Sequence, residues 1–306
     1  MKLTRRDLIK LGAGAGVASL SAAWGPLMAG EPAIIKTTIP STGQQLPCVG
    51  IGTVKFRGAP GSADMTPFKQ TLEAFHQLGG QVLDTSPNYG NSEEVLGRLL
   101  ADLKLRDEVF MATKVDREDP AEGIERMRGS FNRLGGKIDL MQVHNLRGTA
   151  AELGTMISWK DQGRFRYIGV TTHRVNQHEE MALVMHSFPL DFIQVNYSLA
   201  DRAAAERILP LAQDRGIAVL VNRPFGNGKL FGAVKGRDLP DWAAEIDAQS
   251  WGQVFLKYII SHPAATIPIP GTTKPHHARD NMGAMVGRLP DANLRKEMES
   301  YMDALL

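Results

Sequence analysis

Short apolar runs alternate with amphipathic stretches from Pro47 to the end of the chain. The runs fall at 48–52, 81–83, 108–112, 138–143, 167–170, 192–195, 217–221 and 265–269. Brief runs that are apolar at consecutive positions predict parallel strands covered on both faces. Between them the apolar spacing turns helical. Phe68, Leu72, Phe75 and Leu78 form one stripe over 65–78, and Val95, Leu96, Leu99, Leu100 and Leu103 another over 92–103. Further helices are predicted near 121–134, 149–162, 175–187, 202–214, 250–262 and 275–285. Gly79-Gly80, Gly135-Gly136 and Gly216 lie where helices should end and strands begin. Eight such units predict an α/β fold, a closed (β/α)8 TIM barrel over residues 30–306. Ahead of it, residues 34–46 read as a β-hairpin turning at Ser41–Gly43 and plugging the barrel floor. A last amphipathic helix is predicted within 291–306, just after Pro290. No Gly-x-Gly-x-x-Gly follows the first strand, which argues against an open dinucleotide-binding sheet.

The first thirty residues break this pattern. A short basic region with adjacent Arg5-Arg6 precedes residues 11–29, an uncharged stretch rich in Gly and Ala. This is the layout of an export leader. Thr4-Arg5-Arg6-Asp7-Leu8-Ile9-Lys10 resembles the twin-arginine motif. The expectations are a signal peptide over 1–29, passage through the twin-arginine machinery and a periplasmic or secreted product. A stable membrane span needs roughly 20 strongly apolar residues, so no stable insertion is expected.

Charge changes the picture little. The leader holds four of the 35 basic and one of the 33 acidic residues, so the remainder carries −1 rather than +2. That balance gives no reason to expect a nucleic-acid partner. The lone Cys48 excludes an internal disulfide and reads as a small buried residue. His276-His277 are neighbours that diverge on a helix, so no metal site is expected.

Candidate chemistry gathers where three consecutive strands end. Asp84 closes the second strand and leads into Thr85-Ser86-Pro87-Asn88-Tyr89; Lys114 closes the third and His144 the fourth. In a β/α barrel the reaction chemistry sits at that rim. A carboxylate, a phenol, an ammonium and an imidazole together suit proton donation to a carbonyl oxygen.

The chain resembles the aldo-keto reductase family over about residues 34–290. The likeness rests on Gly79-Gly80-x-x-Leu83-Asp84-Thr85-Ser86-x-x-Tyr89-Gly90-x-Ser92-Glu93, Ala112-Thr113-Lys114 and Asp139-Leu140-Met141-Gln142-Val143-His144-Asn145. It continues in Ile168-Gly169-Val170, Gln194-Val195-Asn196-Tyr197-Ser198, Pro224-Phe225-Gly226 and Ile267-Pro268-x-Pro270-Gly271. The resemblance implies reduction of an aldehyde or ketone with NADPH, or with NADH. Tyr89 would donate the proton, with Lys114 and Asp84 behind it and His144 orienting the substrate carbonyl. It also implies cofactor contacts at Gly52 and Thr53 by the nicotinamide ribose, and at Thr171, Thr172 and Gln194 on the carboxamide. Arg223, Pro224, Phe225, Gly226 and Gly228 would follow the pyrophosphate. Gly271, Lys274, His277 and Asn281 would take the adenosine end. Asn222-Arg223 stand where the family commonly has Tyr-Ser, and Thr171-Thr172 where it has Ser-Asn.

Two other readings use the same residues. One is a nicotinamide-binding sensor or partner subunit without turnover, since fold does not fix function. The other is a barrel hydrolase working through Asp84 and His144.

Overall fold

Strands that are apolar at every position need cover on both faces, and the chain provides it by closing its sheet. The computed structural model describes residues 33–306 apart from 60, 61, 63, 64 and 265. The leader expected over 1–29 lies outside the described residues. Strands β1 (Lys36–Thr38) and β2 (Gln45–Pro47) pair antiparallel and form the expected hairpin. Eight parallel strands follow: β3 (Ile51–Gly52), β4 (Val82–Asp84), β5 (Phe110–Val115), β6 (Leu140–Val143), β7 (Tyr167–Thr171), β8 (Phe192–Asn196), β9 (Ala218–Asn222) and β10 (Thr266–Pro268). They pair in sequence order. The seam between β10 and β3 is drawn shut by Gly50 N–H to Pro268 O at 2.9 Å and Gly52 N–H to Pro270 O at 3.2 Å. Gly50 has to be glycine there, because a Cβ would lie 2.8 Å from the Val82 carbonyl.

The helices are α1 (Thr66–Gln77), α2 (Ser92–Leu103), α3 (Pro120–Leu134), α4 (Thr149–Asp161), α5 (His178–Ser187), α6 (Ile208–Asp214), α7 (Lys229–Ala233), α8 (Trp251–Ile260), α9 (Pro275–Gly283) and α10 (Ala292–Asp303). Asp119 caps α3 by accepting from the N–H groups of Ala121 and Glu122, and Asp291 caps α10 in the same way. The helix expected over 202–214 is two pieces, a 3₁₀ turn at Ala203–Glu206 and then α6. Pro210 explains the break. It has no N–H for a bond back into the preceding turn and is tolerated only in the first turn of a new helix. Sequence periodicity also misses α7 and a 3₁₀ turn at Asp241–Ile246, both inside the β9–α8 connection. Neither is long enough to show a period.

Two cores result. The larger lies between the strands and the helix ring. The smaller fills the barrel and includes Val82, Phe110, Leu140, Tyr167, Phe192 and Leu220. Ile39 and Leu46 of the hairpin belong to this inner core, so the hairpin does plug the floor. Alternation along each strand then brings polar residues inward at the opposite end. Asp84, Lys114, Gln142 and Gln194 are all buried there.

Candidate active site

The centre of the site is a carboxylate almost wholly withdrawn from the surface. Asp84 is 2% exposed, a burial tolerable only with full compensation. Lys114 Nζ donates to Asp84 Oδ2 at 2.6 Å and to the Thr85 carbonyl at 2.7 Å. Gln142 and Gln194 each donate an Nε2–H to Asp84 Oδ1, at 3.1 and 2.9 Å. Asp84, Gln142 and Gln194 come from β4, β6 and β8. Alternate strands of a β/α barrel share one layer of inward side chains, which is why these three meet. Burial works against the charge on Lys114. The Asp84 carboxylate and the Tyr89 phenol outweigh it and raise the lysine's pKa.

Tyr89 stands between this pair and solvent. Lys114 Nζ lies 5.0 Å from its ring centroid. The His144 ring meets it edge-on, with centroids 6.0 Å apart and planes at 85°. Burial, seconded by the charge on Lys114, pushes the His144 pKa down from 6.5 to about 3, so the imidazole is neutral at working pH. His144 Nδ1 lies 3.2 Å from both Ser86 Oγ and Asn88 Nδ2.

Tyr89 and His144 face a cavity of about 660 Å³ at the rim. Its wall also includes Gly52, Thr171, Gln194, Asn222, Arg223 and Gly271. Among the described residues, one acceptor and one donor on this wall are uncommitted. Gln194 gives its amide protons to Asp84 and Gln142, which leaves Oε1 as an acceptor. Thr171 Oγ1 accepts from Asn145 N–H at 3.0 Å and keeps its own proton to donate. An acceptor beside a donor is what a nicotinamide carboxamide requires.

Other sequence-selected residues are placed differently. The Thr53 hydroxyl donates to the Asp84 carbonyl at 3.1 Å and meets Ser92 Oγ at 3.0 Å. The Thr172 hydroxyl donates to Gln177 Oε1 at 2.6 Å. Both hydroxyls thus hold loops in place. Pro224, Phe225 and Gly228 line the cavity, while Gly226 sits between the last two on a 3₁₀ turn. Lys274 and His277 are exposed at the start of α9, and Asn281 is buried further along it. These three lie outside the cavity wall.

A sequence profile of the Aldo/keto reductase family matches residues 48–300. The chain belongs to the aldo/keto reductase family. The NADH-specific methylglyoxal reductase of Escherichia coli is 26% identical, over 88% of this chain and 99% of that one. The aldo-keto reductase yakc [NADP(+)] of Schizosaccharomyces pombe is also 26% identical, over 85% of this chain and 89% of that one. Among solved structures, an aldo/keto reductase of Klebsiella pneumoniae in complex with NADP and acetate superposes with a TM-score of 0.74. It is 24% identical, covering 88% of this chain and 95% of that chain. Asn222 lines the cavity and donates Nδ2–H to the Thr172 carbonyl at 2.9 Å. The sequence signal for Gln142 is an amide inside the otherwise mostly apolar run 138–143. Asn88 and Asp116 carry no comparable mark.

Behind the site, Glu152 of α4 is fully buried and accepts the Arg117 N–H at 3.0 Å. Burial pushes its pKa from 4.5 to about 7, with Asp116 adding to the rise and the Arg117 N–H opposing it. Folding therefore loses stability as pH climbs from the unfolded value through about 7, because the folded state holds the proton more tightly. Glu152→Gln keeps the acceptor and removes the titration. It should leave thermal stability unchanged at pH 4.5 and raise it at pH 8, by on the order of 1–3 kcal/mol. Equal effects at both pH values in a melting series would contradict this.

Proposed function

We propose that this protein reduces an aldehyde or ketone to an alcohol, using NADPH or NADH. The carrying observation is that Tyr89 and His144 share one cavity wall, with a buried Lys114–Asp84 pair behind the phenol. The relatives named for NADH and for NADP(+) support both nucleotides. The reduced nicotinamide, when bound, supplies the hydride for the carbonyl carbon. Thr171 and Gln194 would hold its carboxamide, with Gly52, Arg223 and Gly271 along the same wall.

The chain's own part is to position the carbonyl and to move a proton. His144 hydrogen-bonds the carbonyl oxygen and orients it toward the phenol. Tyr89 gives its proton to that oxygen as negative charge develops there. The Lys114 ammonium stabilises the phenolate left behind, since a nearby cation favours the charged form. Asp84 keeps Lys114 charged and in place. The test is titration of the full chain with NADPH and NADH by nicotinamide fluorescence, followed by a panel of aldehydes, ketones and quinones. Nucleotide binding with turnover supports the proposal, and binding without turnover on any carbonyl refutes it.

We further propose that residues 1–29 direct twin-arginine export and leave a periplasmic or secreted enzyme. That route accepts folded cargo, so the cofactor can travel bound. The support is Arg5-Arg6 followed by an uncharged Gly- and Ala-rich stretch. A tagged full chain should leave the cytoplasm, and Arg5→Lys/Arg6→Lys should retain it there. Cytoplasmic location of both would sink the idea.

A further inference from the structure

The orientation of the His144 ring has an identifiable cause in Asn88. This residue lies in the loop after β4, immediately before Tyr89. Charge holds its side-chain amide at both ends. Nδ2 donates to Asp116 Oδ2 at 2.6 Å, and Oδ1 accepts from Arg126 Nη2 of α3. A flipped amide would set oxygen against the carboxylate and NH₂ against the guanidinium, so only one orientation is tenable. Asp116 is 7% exposed and is itself fixed by Arg117 Nη1 at 2.6 Å from Oδ1.

An amide nitrogen carries two protons, and one of them goes to Asp116. The other faces His144 Nδ1, 3.2 Å away. Ser86 is a second neighbour. Its oxygen accepts the Asn88 backbone N–H at 3.1 Å and lies 3.2 Å from His144 Nδ1. The Asn88 amide nitrogen can only donate, so Nδ1 must offer its lone pair and the ring proton must then sit on Nε2, while the Ser86 hydroxyl can take either part. The opposite tautomer would bring N–H against N–H at Nδ1. It would also turn a lone pair from Nε2 toward a carbonyl oxygen.

We propose that Asn88, held by Asp116 and Arg126, is a positioning residue that sets the His144 tautomer so that Nε2–H is the donor to the substrate carbonyl. This rests on the reductase reading. The charged and titratable groups facing His144 are Tyr89 from the loop after β4, Lys114 from β5, Asp116 from the loop after it, His173 from the loop after β7 and Arg126 from α3. Burial and the Lys114 charge keep the ring neutral, so the choice lies between two neutral tautomers and one hydrogen-bond partner can decide it.

The test is nitrogen-15 NMR of the full chain labelled in histidine, together with steady-state kinetics. In the wild type, His144 should show an unprotonated Nδ1 and a protonated Nε2 at every pH between about 5 and 8. Asn88→Asp replaces the donor with an acceptor that lies against Asp116, so the two carboxyls share one proton, and the charge that remains should draw a second proton onto Nδ1. Turnover should then fall about 10–100-fold, with a new pH dependence in kcat and unchanged affinity for NADPH. Asn88→Leu removes the contact without adding charge. It should lower kcat by less and introduce no new pH dependence. A wild-type ring protonated at Nδ1 would overturn the proposal. So would an Asn88→Asp protein with wild-type nitrogen shifts and a wild-type pH profile. The nitrogen shifts need no turnover, so they decide the role of Asn88 even if the wild type reduces no carbonyl and the reductase reading fails.

Discussion

Replacing Tyr89 by Phe should abolish nearly all carbonyl reduction while leaving the fold and the nucleotide affinity intact. Loss of a positioned proton donor typically costs about 10²–10⁴-fold in rate. The upper end is expected here, because among the described residues no other acid is placed to substitute. His144 is neutral, with its pKa pushed down to about 3. Lys114 is 1% exposed and committed to Asp84 and Thr85, so it cannot reach a substrate. The ring itself should survive the change, since Lys114 and His144 also hold it by its face and edge. Lys114 Nζ sits 5.0 Å from the ring centroid and His144 packs edge-on. The measurement is kcat for wild type and variant on one reducible carbonyl, with NADPH affinity followed by fluorescence. An unchanged kcat would remove Tyr89 from the chemistry.

Lys114→Met should damage both stability and turnover, and the two losses can be separated. Removing one partner of a buried ion pair leaves the other charge without compensation, at a cost of about 3–5 kcal/mol. Asp84 would keep only the two amide donors of Gln142 and Gln194. The Thr85 carbonyl would also lose its bond to Nζ. The expected result is a clear fall in melting temperature and a loss of turnover. Adding Asp84→Asn to Lys114→Met removes the stranded charge and keeps an acceptor for the two glutamines. Stability should partly return in the double variant, while turnover should not, since Tyr89 still lacks its ammonium. A Lys114→Met protein with wild-type melting and turnover would refute both halves of the argument.

These expectations differ in how far local sequence could carry them. Apolar runs of period one and helices of period 3.6 are local signals, and eight alternations leave few architectures other than a barrel. The floor hairpin was readable for the same reason, because Ser41–Gly43 is turn chemistry between two short strands. The placement of Asp84, Lys114 and His144 followed directly, since each ends a run and rim positions are strand ends. The loop between β9 and α8 was not readable. Its pieces α7 and the 3₁₀ turn at Asp241–Ile246 are too short to show a period.

The amino-acid sequence by itself determined the barrel, the rim on which chemistry collects and the four groups standing there. The tertiary structure alone decided how those groups are wired. Gln142 meets Asp84 because the barrel stacks alternate strands into one layer, a contact that joins residues 58 positions apart. Asn88 is pinned by Asp116 and Arg126, again residues distant in the chain, and which way its amide turns depends on charges brought in by β5 and α3. The hydroxyls of Thr53 and Thr172, for which the family resemblance implies cofactor contacts, are taken up by neighbouring loops. Strand ends follow from local periodicity, whereas a hydrogen bond between distant residues depends on closure and stagger, which no stretch of sequence encodes alone.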